Sequence, residues 1–173
     1  MEYVILVNEQ DEPIGEMEKM EAHEKGVLHR AFSVFIFNEH NELLLQKRAS
    51  SKYHSGGLWS NSCCSHPRTN ESVVEAGERR LLEEMGFTVP VEAVFSFIYR
   101  ANLDHGMTEH ELDHVLIGRY NDAPQLNPDE VEDWKYVDLD TLSEHMQRHP
   151  EEYTEWFKIV FDRVREELYN AIS

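Results

Sequence analysis

Residues 72–86 constrain the fold of this chain more than any other stretch, because sequence signals mark both ends of one helix there. Ser72 followed by Glu75 forms a capping box, in which each side chain satisfies an exposed backbone N–H group of the other residue. Gly86 closes the stretch, and glycine adopts the left-handed conformation of a helix C-cap without a steric penalty. The sequence therefore predicts a helix that begins near Ser72 and stops at Gly86.

Short apolar runs on either side of this helix predict β-strands. Tyr3–Val7 is one candidate strand, and a polar turn that contains Pro13 and Gly15 follows it. Residues 31–37 and 42–46 flank a polar turn and are typical of a hairpin. Further strands are expected at residues 91–97, 109–119 and 134–137.

The end of the sequence predicts a long amphipathic helix over residues 153–171. Its apolar residues recur at helical spacing: Trp156, Phe157, Val160, Phe161, Val164 and Leu168. Residues 49–62 are polar and predict a loop, and residues 121–128 read as a loop inside the same domain. At this length the expected organisation is a single mixed α and β domain over residues 1–173, with a substantial core.

The balance of charges narrows the classes of partner. The chain has 16 lysines and arginines against 34 aspartates and glutamates, which gives a formal net charge of −18. Such a charge argues against nucleic acid and anionic membranes as partners. The sequence does not open on a signal-peptide pattern, and no stretch approaches the ~20 apolar residues of a membrane helix. The expectation is a cytoplasmic protein with a well-solvated surface.

The two cysteines of the chain are adjacent, within N-S-C-C-S-H-P at residues 61–67. Neighbouring cysteines form a disulfide only through a strained ring, so two free thiols in a reducing compartment are expected. In an extended segment side chains alternate, which places Cys64 and His66 on one face and Cys63 on the other. Cys64 is then the thiol beside a candidate metal ligand, although a free cysteine is commonly just a small buried hydrophobic residue.

The same alternation applies to residues 108–113, where Glu109 and Glu111 share a face and His110 lies opposite. His23 and His29 offer two more imidazoles. Imidazole and carboxylate ligands together suit zinc, manganese or iron. Spacing alone does not establish a metal site, because these residues are far apart in sequence and a histidine is more often a surface residue.

The predicted helix and its flanks resemble the Nudix box, G-x5-E-x7-R-E-U-x-E-E-x-G-U, where U is a bulky apolar residue. The matching positions are Glu71, Arg79, Leu81, Glu83, Glu84, Gly86 and Phe87. Ser65 stands at the first glycine, and Arg80 stands where Nudix hydrolases have a glutamate. In those hydrolases the acidic residues of the box bind divalent ions that assist the attack of water on a diphosphate. The resemblance therefore predicts the fold, while Arg80 argues against hydrolysis.

More specifically, the chain resembles type 1 isopentenyl-diphosphate Δ-isomerases. These are Nudix-fold enzymes that depart from the Nudix box at the same two positions. The likeness extends over nearly all of the chain, in separated motifs at residues 29–35, 43–48, 59–67, 99–101, 109–111 and 156–157. It implies a mixed β-sheet sandwiched between helices, with a long amphipathic helix at the C-terminus. It also implies a small-molecule reaction: a reversible shift of a C=C bond that converts isopentenyl to dimethylallyl diphosphate through a tertiary carbocation, for isoprenoid biosynthesis.

The resemblance also implies catalytic and metal-binding roles. Glu111 with Tyr99 is expected to protonate the alkene, and Cys64 is expected to remove the other proton. One Mn²⁺ or Zn²⁺ is expected on five ligands: His23, His29, His66, Glu109 and Glu111. A Mg²⁺ that accompanies the substrate diphosphate is expected on Glu84 and the backbone carbonyl of Cys64.

The substrate itself is expected to contact cations and one aromatic ring. The residues that match the family's diphosphate-binding positions are Lys19, Arg48, Lys52 and Arg80. Arginine binds two phosphate oxygens at once and lysine acts as a point charge. Trp156 is expected to face the hydrocarbon, although its helical spacing alone indicates an ordinary core aromatic, and Lys52 alone could be a solvated loop lysine.

Two other functions stay open at the level of sequence. A Nudix-type diphosphate hydrolase is the main alternative, and Arg80 together with the Cys64 and Glu111 pair argues against it. A non-catalytic relative that binds a metal or a ligand is the third, and the presence of both Cys64 and Glu111 argues against it. The sequence does not fix the oligomeric state.

Overall fold

The computed structural model describes residues 2–52 and 54–172, and within these it contains nine strands and four α-helices. In chain order they are β1 (Tyr3–Val7), β2 (Pro13–Glu18), α1 (Lys19–Lys25), β3 (His29–Phe37), β4 (Glu42–Arg48), β5 (Trp59–Ser60), β6 (Cys63–Ser65), α2 (Val73–Met85), β7 (Glu92–Asn102), β8 (Thr108–Arg119), β9 (Val131–Asp138), α3 (Leu139–Arg148) and α4 (Glu155–Ile172). Short 3-10 turns lie at Asp104–Gly106 and Pro150–Glu152.

Strand β3 is the centre of a mixed sheet. It pairs with β8 in parallel along its whole length, from His29 beside Glu111 to Phe37 beside Arg119. Its antiparallel neighbours are β1, β4 and β6. Strands β2, β7 and β9 extend the sheet by pairing with β1, β8 and β4 respectively.

Helices cover both faces of this sheet, as expected for the Nudix fold. The side chains of β3 are buried on both faces, which is usual for a central strand with helices on either side. Val34 and Ile36 pack in the cluster that contains Leu81 and Met85 of α2. Phe35 and Phe37 point the other way, into the cluster formed with α3 and α4. The predicted sandwich of a mixed sheet between helices is confirmed.

Both predicted helices are present: α2 has the predicted caps at Ser72 and Gly86, and α4 spans Glu155–Ile172 where residues 153–171 were predicted. The side chain of Ser72 accepts from the N–H of Glu75 at 3.0 Å, and the Glu75 carboxylate accepts from the N–H of Ser72 at 3.0 Å. Gly86 has φ 74°, and its N–H donates to the carbonyl of Leu82. In α4 the predicted apolar stripe, from Trp156 to Leu168, is buried. Among the described residues, no helix combines the length and apolar character needed to cross a lipid bilayer.

Several elements differ from the prediction. The polar stretch after β1 is not merely a turn, because Pro13–Glu18 forms the edge strand β2. The predicted loop at residues 49–62 includes strand β5, and β7 and β9 are longer than predicted. Helices α1 and α3 were not predicted. Most residues of β2 are exposed, so an alternating apolar pattern is absent from its sequence.

Candidate active site

Paired strands assemble the centre of the site. In the register of the sheet, Glu111 of β8 lies beside His29 of β3 and opposite Tyr99 of β7. The pairing of β6 with β3 places Cys64 opposite Ser33. Since side chains on one face of a strand recur at every second residue, His29 and Ser33 lie on the same face of β3. The sheet therefore brings together residues that are far apart in the sequence.

The five predicted metal ligands form one group: His23, His29, His66, Glu109 and Glu111. One donor atom from each lies within 4.8 Å of all the others. Nε2 of His66 is 2.8 Å from Oε2 of Glu111 and 3.3 Å from Nε2 of His29. Nε2 of His23, which helix α1 supplies, is 3.3 Å from Oε1 of Glu109.

Backbone carbonyls orient two of these imidazoles toward the group. Nδ1 of His23 lies 2.7 Å from the carbonyl oxygen of Lys19, and Nδ1 of His29 lies 2.8 Å from that of Val27. A carbonyl oxygen only accepts, so Nδ1 carries the hydrogen and the neutral ring presents the lone pair of Nε2. Metal-binding histidines are typically oriented in this way. The residues present therefore fit a divalent transition-metal ion.

Contacts within the group shift the pKa values of its members. Burial opposes charge on Glu111, but hydrogen bonds with Glu109 and His29 outweigh it and lower the pKa of Glu111 to about 2. Burial also opposes protonation of His23, but the carboxylate of Glu109 outweighs it and raises the pKa of His23 to about 9. A metal ion that binds Nε2 of His23 therefore displaces a proton. Burial and the adjacent His29 hold the pKa of His66 well below its ordinary value. The protein alone thus keeps Glu111 ionised.

The adjacent cysteines face opposite layers of the fold. Cys63 is buried in the cluster with α2, and its thiol donates to Oε2 of Glu84 at 3.2 Å. Cys64 packs against the cluster with α4 and lines a pocket together with Tyr99 and Glu111. Alternation along β6 therefore gives the two thiols different surroundings, and Cys64 is the one beside the metal-ligand group.

The thiol of Cys64 has polar neighbours on its buried side. Its sulfur lies 2.9 Å from Oδ1 of Asn61 and 3.7 Å from Oγ of Ser33. The hydroxyl of Ser33 in turn donates to Oδ1 of Asp113 at 3.0 Å. Burial, reinforced by the charge of Asp113, raises the pKa of Cys64 to about 12. At neutral pH Cys64 is therefore a thiol.

One pocket is lined by almost all of the predicted site residues: Lys19, Arg48, Lys52, Cys64, His66, Arg80, Glu84, Tyr99, Glu109, Glu111 and Trp156. His23 and His29 are fully buried and join the site through their contacts in the metal-ligand group. The two predicted proton-exchanging groups, the Cys64 thiol and the Tyr99–Glu111 pair, therefore line the same pocket.

Carboxylates form ion pairs with Lys52 and Arg80, two of the cations of this pocket. Nζ of Lys52 is 2.6 Å from Oε2 of Glu130. Arg80 lies on the same face of α2 as Glu84, and its Nη2 is 3.0 Å from Oε2 of Glu84 and 3.4 Å from Oε2 of Glu130. The positive charge expected to hold a diphosphate is present, and acidic side chains balance part of it in this structure.

Glu84, the predicted Mg²⁺ ligand, is buried at the pocket wall. Its Oε1 accepts from Nε2 of Gln46 at 3.2 Å, and its Oε2 contacts Cys63 and Arg80. A carboxylate has about four lone-pair positions, so these contacts leave it able to accept a further partner. An oxygen ligand at a pocket wall fits a hard cation such as Mg²⁺.

Trp156 forms part of the pocket from the start of α4. The guanidinium of Arg48 lies over its ring, 4.9 Å from the centroid. The ring of His54 meets it edge-on, with centroids 5.5 Å apart at 84°. Two pocket side chains thus fix the orientation of the indole.

Sequence reasoning missed several residues that contact the site. His54 and Glu130 line the pocket, and Asn61, Ser33 and Asp113 surround the sulfur of Cys64. His54 and Asn61 lie in residues 49–62, which the sequence predicts to be a polar loop. Alternation could have found Ser33 and Asp113, since these lie on the same strand faces as His29 and Glu111.

Comparisons with known proteins agree with this geometry. The NUDIX domain family model matches residues 27–157. Isopentenyl-diphosphate Delta-isomerase 2 of Aromatoleum aromaticum is 52% identical over 161 residues, which cover 93% of this chain and 85% of the relative. The isopentenyl-diphosphate Delta-isomerase of Pectobacterium atrosepticum is also 52% identical, with coverage of 93% and 90%.

Solved structures support the fold at lower sequence identity. The crystal structure of DR0079 from Deinococcus radiodurans matches with a TM-score of 0.70 and 19% identity, covering 85% of this chain and 90% of that one. The MutT protein of Methanosarcina mazei matches with a TM-score of 0.66 and 20% identity, covering 81% and 94%. By sequence and by fold, the chain belongs to the NUDIX domain family and, within it, to the isopentenyl-diphosphate Delta-isomerases.

Proposed function

We propose that this chain, acting as one cytoplasmic domain over residues 1–173, interconverts isopentenyl and dimethylallyl diphosphate for isoprenoid biosynthesis. The observation that carries the proposal is a single pocket lined by the Cys64 thiol, by Glu111 hydrogen-bonded to Tyr99, and by cationic side chains. The names of the relatives, which are half identical over most of the chain, support the same reaction. Two free cysteines support a reducing compartment.

The reaction requires two groups that exchange protons with different carbons. An unactivated alkene gains a proton at one carbon, which produces a tertiary carbocation, and loses a proton at another. Toward dimethylallyl diphosphate, Glu111 with Tyr99 supplies the first proton and Cys64 accepts the second. The hydroxyl of Tyr99 donates to Oε1 of Glu111 at 2.6 Å, a distance suited to proton transfer between them.

Cys64 and Glu111, the two groups that exchange protons, differ in proton affinity when no metal is bound. Cys64 is a thiol, because burial raises its pKa to about 12, and the pKa of Glu111 is lowered to about 2. This form begins the reaction from dimethylallyl diphosphate, with Cys64 as the acid and Glu111 as the base. The forward reaction begins with the proton on the Glu111 side and ends with a proton on Cys64, so a proton must return from Cys64 to the Glu111 side before the next forward turnover.

The ligand group would hold one Mn²⁺ or Zn²⁺: His23, His29, His66, Glu109 and Glu111. When bound, such an ion supplies positive charge that fixes Glu111 and alters its proton affinity. The backbone carbonyls of Lys19 and Val27 support this role, since they orient His23 and His29.

The diphosphate end of the substrate would contact Lys19, Arg48, Lys52 and Arg80, with Mg²⁺ held by Glu84 and the carbonyl of Cys64. These local cations oppose the net charge of −18, which would otherwise repel an anionic substrate. Because Arg80 and Lys52 contact Glu130 in this structure, a bound diphosphate competes with that carboxylate for the same cations.

Trp156 would face the hydrocarbon end. An aromatic face stabilises a nearby cation by roughly 2 kcal/mol when water is excluded. Exclusion of water also protects the carbocation, which water would convert to an alcohol. The contacts of Arg48 and His54 with the ring support a fixed indole rather than a mobile surface side chain.

A Nudix-type hydrolase is the alternative, and the ion pair of Arg80 with Glu84 argues against it, since a cation occupies the place of a metal-binding carboxylate. The test is to incubate the protein with isopentenyl diphosphate and Mg²⁺ and to quantify dimethylallyl diphosphate and released phosphate together. Dimethylallyl diphosphate without phosphate supports the proposal. Phosphate or pyrophosphate release without the isomer contradicts it.

A further inference from the structure

Asn61 lies in the connection between β5 and β6 and is 1% exposed. Its amide nitrogen donates to the carbonyl of Val34 at 2.9 Å and to the carbonyl of Cys63 at 3.0 Å. Its amide oxygen lies 2.9 Å from the sulfur of Cys64 and 3.0 Å from the hydroxyl of Ser60. The side-chain amide of Asn61 therefore donates two hydrogen bonds and accepts two, which is all that its NH₂ group and its oxygen can make.

The two carbonyl partners determine which way the amide faces. A backbone carbonyl only accepts hydrogen bonds, so the NH₂ group must point to Val34 and Cys63. If the amide were turned over, its oxygen would face two carbonyl oxygens in a buried place, which is unfavourable. Oδ1 is consequently held toward Cys64, and Oδ1 has no hydrogen to offer. The hydrogen of that contact must come from the thiol.

We propose that Asn61 is a positioning residue for Cys64: its clamped amide oxygen accepts the thiol hydrogen and fixes the sulfur in one orientation at the pocket wall. This inference rests on the proposed function, because it matters for turnover only if Cys64 exchanges a proton with the substrate. The two hydrogen bonds from the Asn61 amide nitrogen connect three parts of the fold, since Val34 belongs to β3, Cys63 to β6, and Asn61 to the segment after β5.

The orientation has a consequence for the reaction. The contact holds the sulfur at the pocket wall, and rotation of the thiol hydrogen about the Cβ–Sγ bond turns it toward the substrate without moving the sulfur. A sulfur free of this contact would sample other rotamers. Holding reacting groups within a fraction of an ångström of the productive position is worth about 100-fold in rate. Loss of Asn61 is therefore expected to reduce kcat and to leave KM unchanged.

A spectroscopic test needs no substitution at Asn61. In Cys63→Ala protein only Cys64 remains, and subtracting the infrared spectrum of Cys63→Ala/Cys64→Ala isolates its S–H stretching band. The band is expected at the lower frequency of a hydrogen-bonded thiol. A band at the frequency of a free thiol overturns the proposal.

Substitution supplies the second test, with Ser62→Ala as a matched control. Ser62 is also fully buried and ties two strands, accepting from the N–H of Ile36 at 2.9 Å and donating to the carbonyl of Leu44 at 2.6 Å. Asn61→Ala is expected to shift the S–H band toward the free-thiol frequency and to lower kcat about 100-fold at constant KM. Ser62→Ala is expected to lower the melting temperature without either effect. Equal kcat losses in both variants, or an unmoved S–H band in Asn61→Ala, overturn the proposal.

Failure of this inference can be told apart from failure of the proposed function. If the parent protein does not form dimethylallyl diphosphate, the proposed function fails, while the infrared band still reports whether Asn61 holds the thiol. If the parent is active and the band is that of a free thiol, the isomerase proposal stands and the role of Asn61 is wrong.

Discussion

The hydroxyl of Tyr99 donates a hydrogen bond of 2.6 Å to Glu111, from a strand position directly opposite it. Tyr99→Phe removes this bond and keeps the ring, so kcat is expected to fall about 100-fold while KM stays the same. Tyr136→Phe is the control, because its hydroxyl donates to two backbone carbonyls, those of Tyr120 and Asp122. That variant is expected to lose about 1 kcal/mol of stability and no activity. Unchanged kcat in Tyr99→Phe would exclude Tyr99 from proton transfer.

The two cysteines are expected to differ in their contribution to turnover. Cys64→Ala should abolish isomerisation, because no other group replaces its proton-accepting sulfur in the pocket. Cys63→Ala should retain most of the activity, since Cys63 is buried in the core against α2 and is not among the described residues that line the pocket. Steady-state rates of the two variants decide the matter. Comparable large losses in both would show that the cysteine pair acts structurally.

Arg80 and its neighbour Arg79 allow a matched test of diphosphate binding. Arg80 lines the pocket, whereas the guanidinium of Arg79 contacts Glu71 and Glu83. Arg80→Ala is expected to raise the KM for isopentenyl diphosphate about 10- to 100-fold, as the loss of a charge-assisted hydrogen bond would, without creating phosphate release. Arg79→Ala is expected to lower the melting temperature and to leave KM unchanged. An unchanged KM in Arg80→Ala would remove Arg80 from the substrate site.

The two metals are expected to bind under different conditions. The five-ligand group should retain about one Zn²⁺ or Mn²⁺ per chain after dialysis, and His66→Ala should lose it. Mg²⁺ should reach stoichiometric occupancy only when a diphosphate analogue is present, because the protein supplies it few ligands. His145, His149 and Glu152 form a second group on the surface at the end of α3, so His149→Ala serves as the control and should not change the dialysed metal content. Full activity with Mg²⁺ alone in metal-free protein would contradict the five-ligand site.

Much of the sheet and both long helices were predictable from the sequence, because their signals are local. The capping box at Ser72 and the apolar stripe of α4 depend only on residues within the same helix. Helix α1 has only 7 residues, too few to show a helical period. Helix α3 does carry local signals that could have predicted it, because Asp138 caps its first turn and Leu139, Leu142 and Met146 are buried at helical spacing. Strand β2 contains Pro13 and Gly15, which are typical of turns, and its exposed residues lack the apolar alternation that would indicate a strand.

The residues of the candidate site were predictable through the resemblance, and their contacts were not. Alternation alone placed Cys64 and His66 on one face and Cys63 on the other, and the structure shows Cys63 and Cys64 in different layers. That Asn61 accepts from Cys64, or that Glu130 neutralises Lys52, follows from pairings between distant segments that no local pattern encodes. Such contacts depend on tertiary structure.

The most direct measurement of the central claim is an NMR experiment in D₂O. Isopentenyl diphosphate and Mg²⁺ are incubated with the protein, and ¹H, ²H and ³¹P spectra are followed, with Cys64→Ala as the inactive reference. Because the alkene carbon takes its proton from a group that exchanges with solvent, the account predicts deuterium in the new methyl group of dimethylallyl diphosphate and an intact diphosphate. Release of phosphate or pyrophosphate, or a double bond that stays in place without uptake of deuterium, would contradict it.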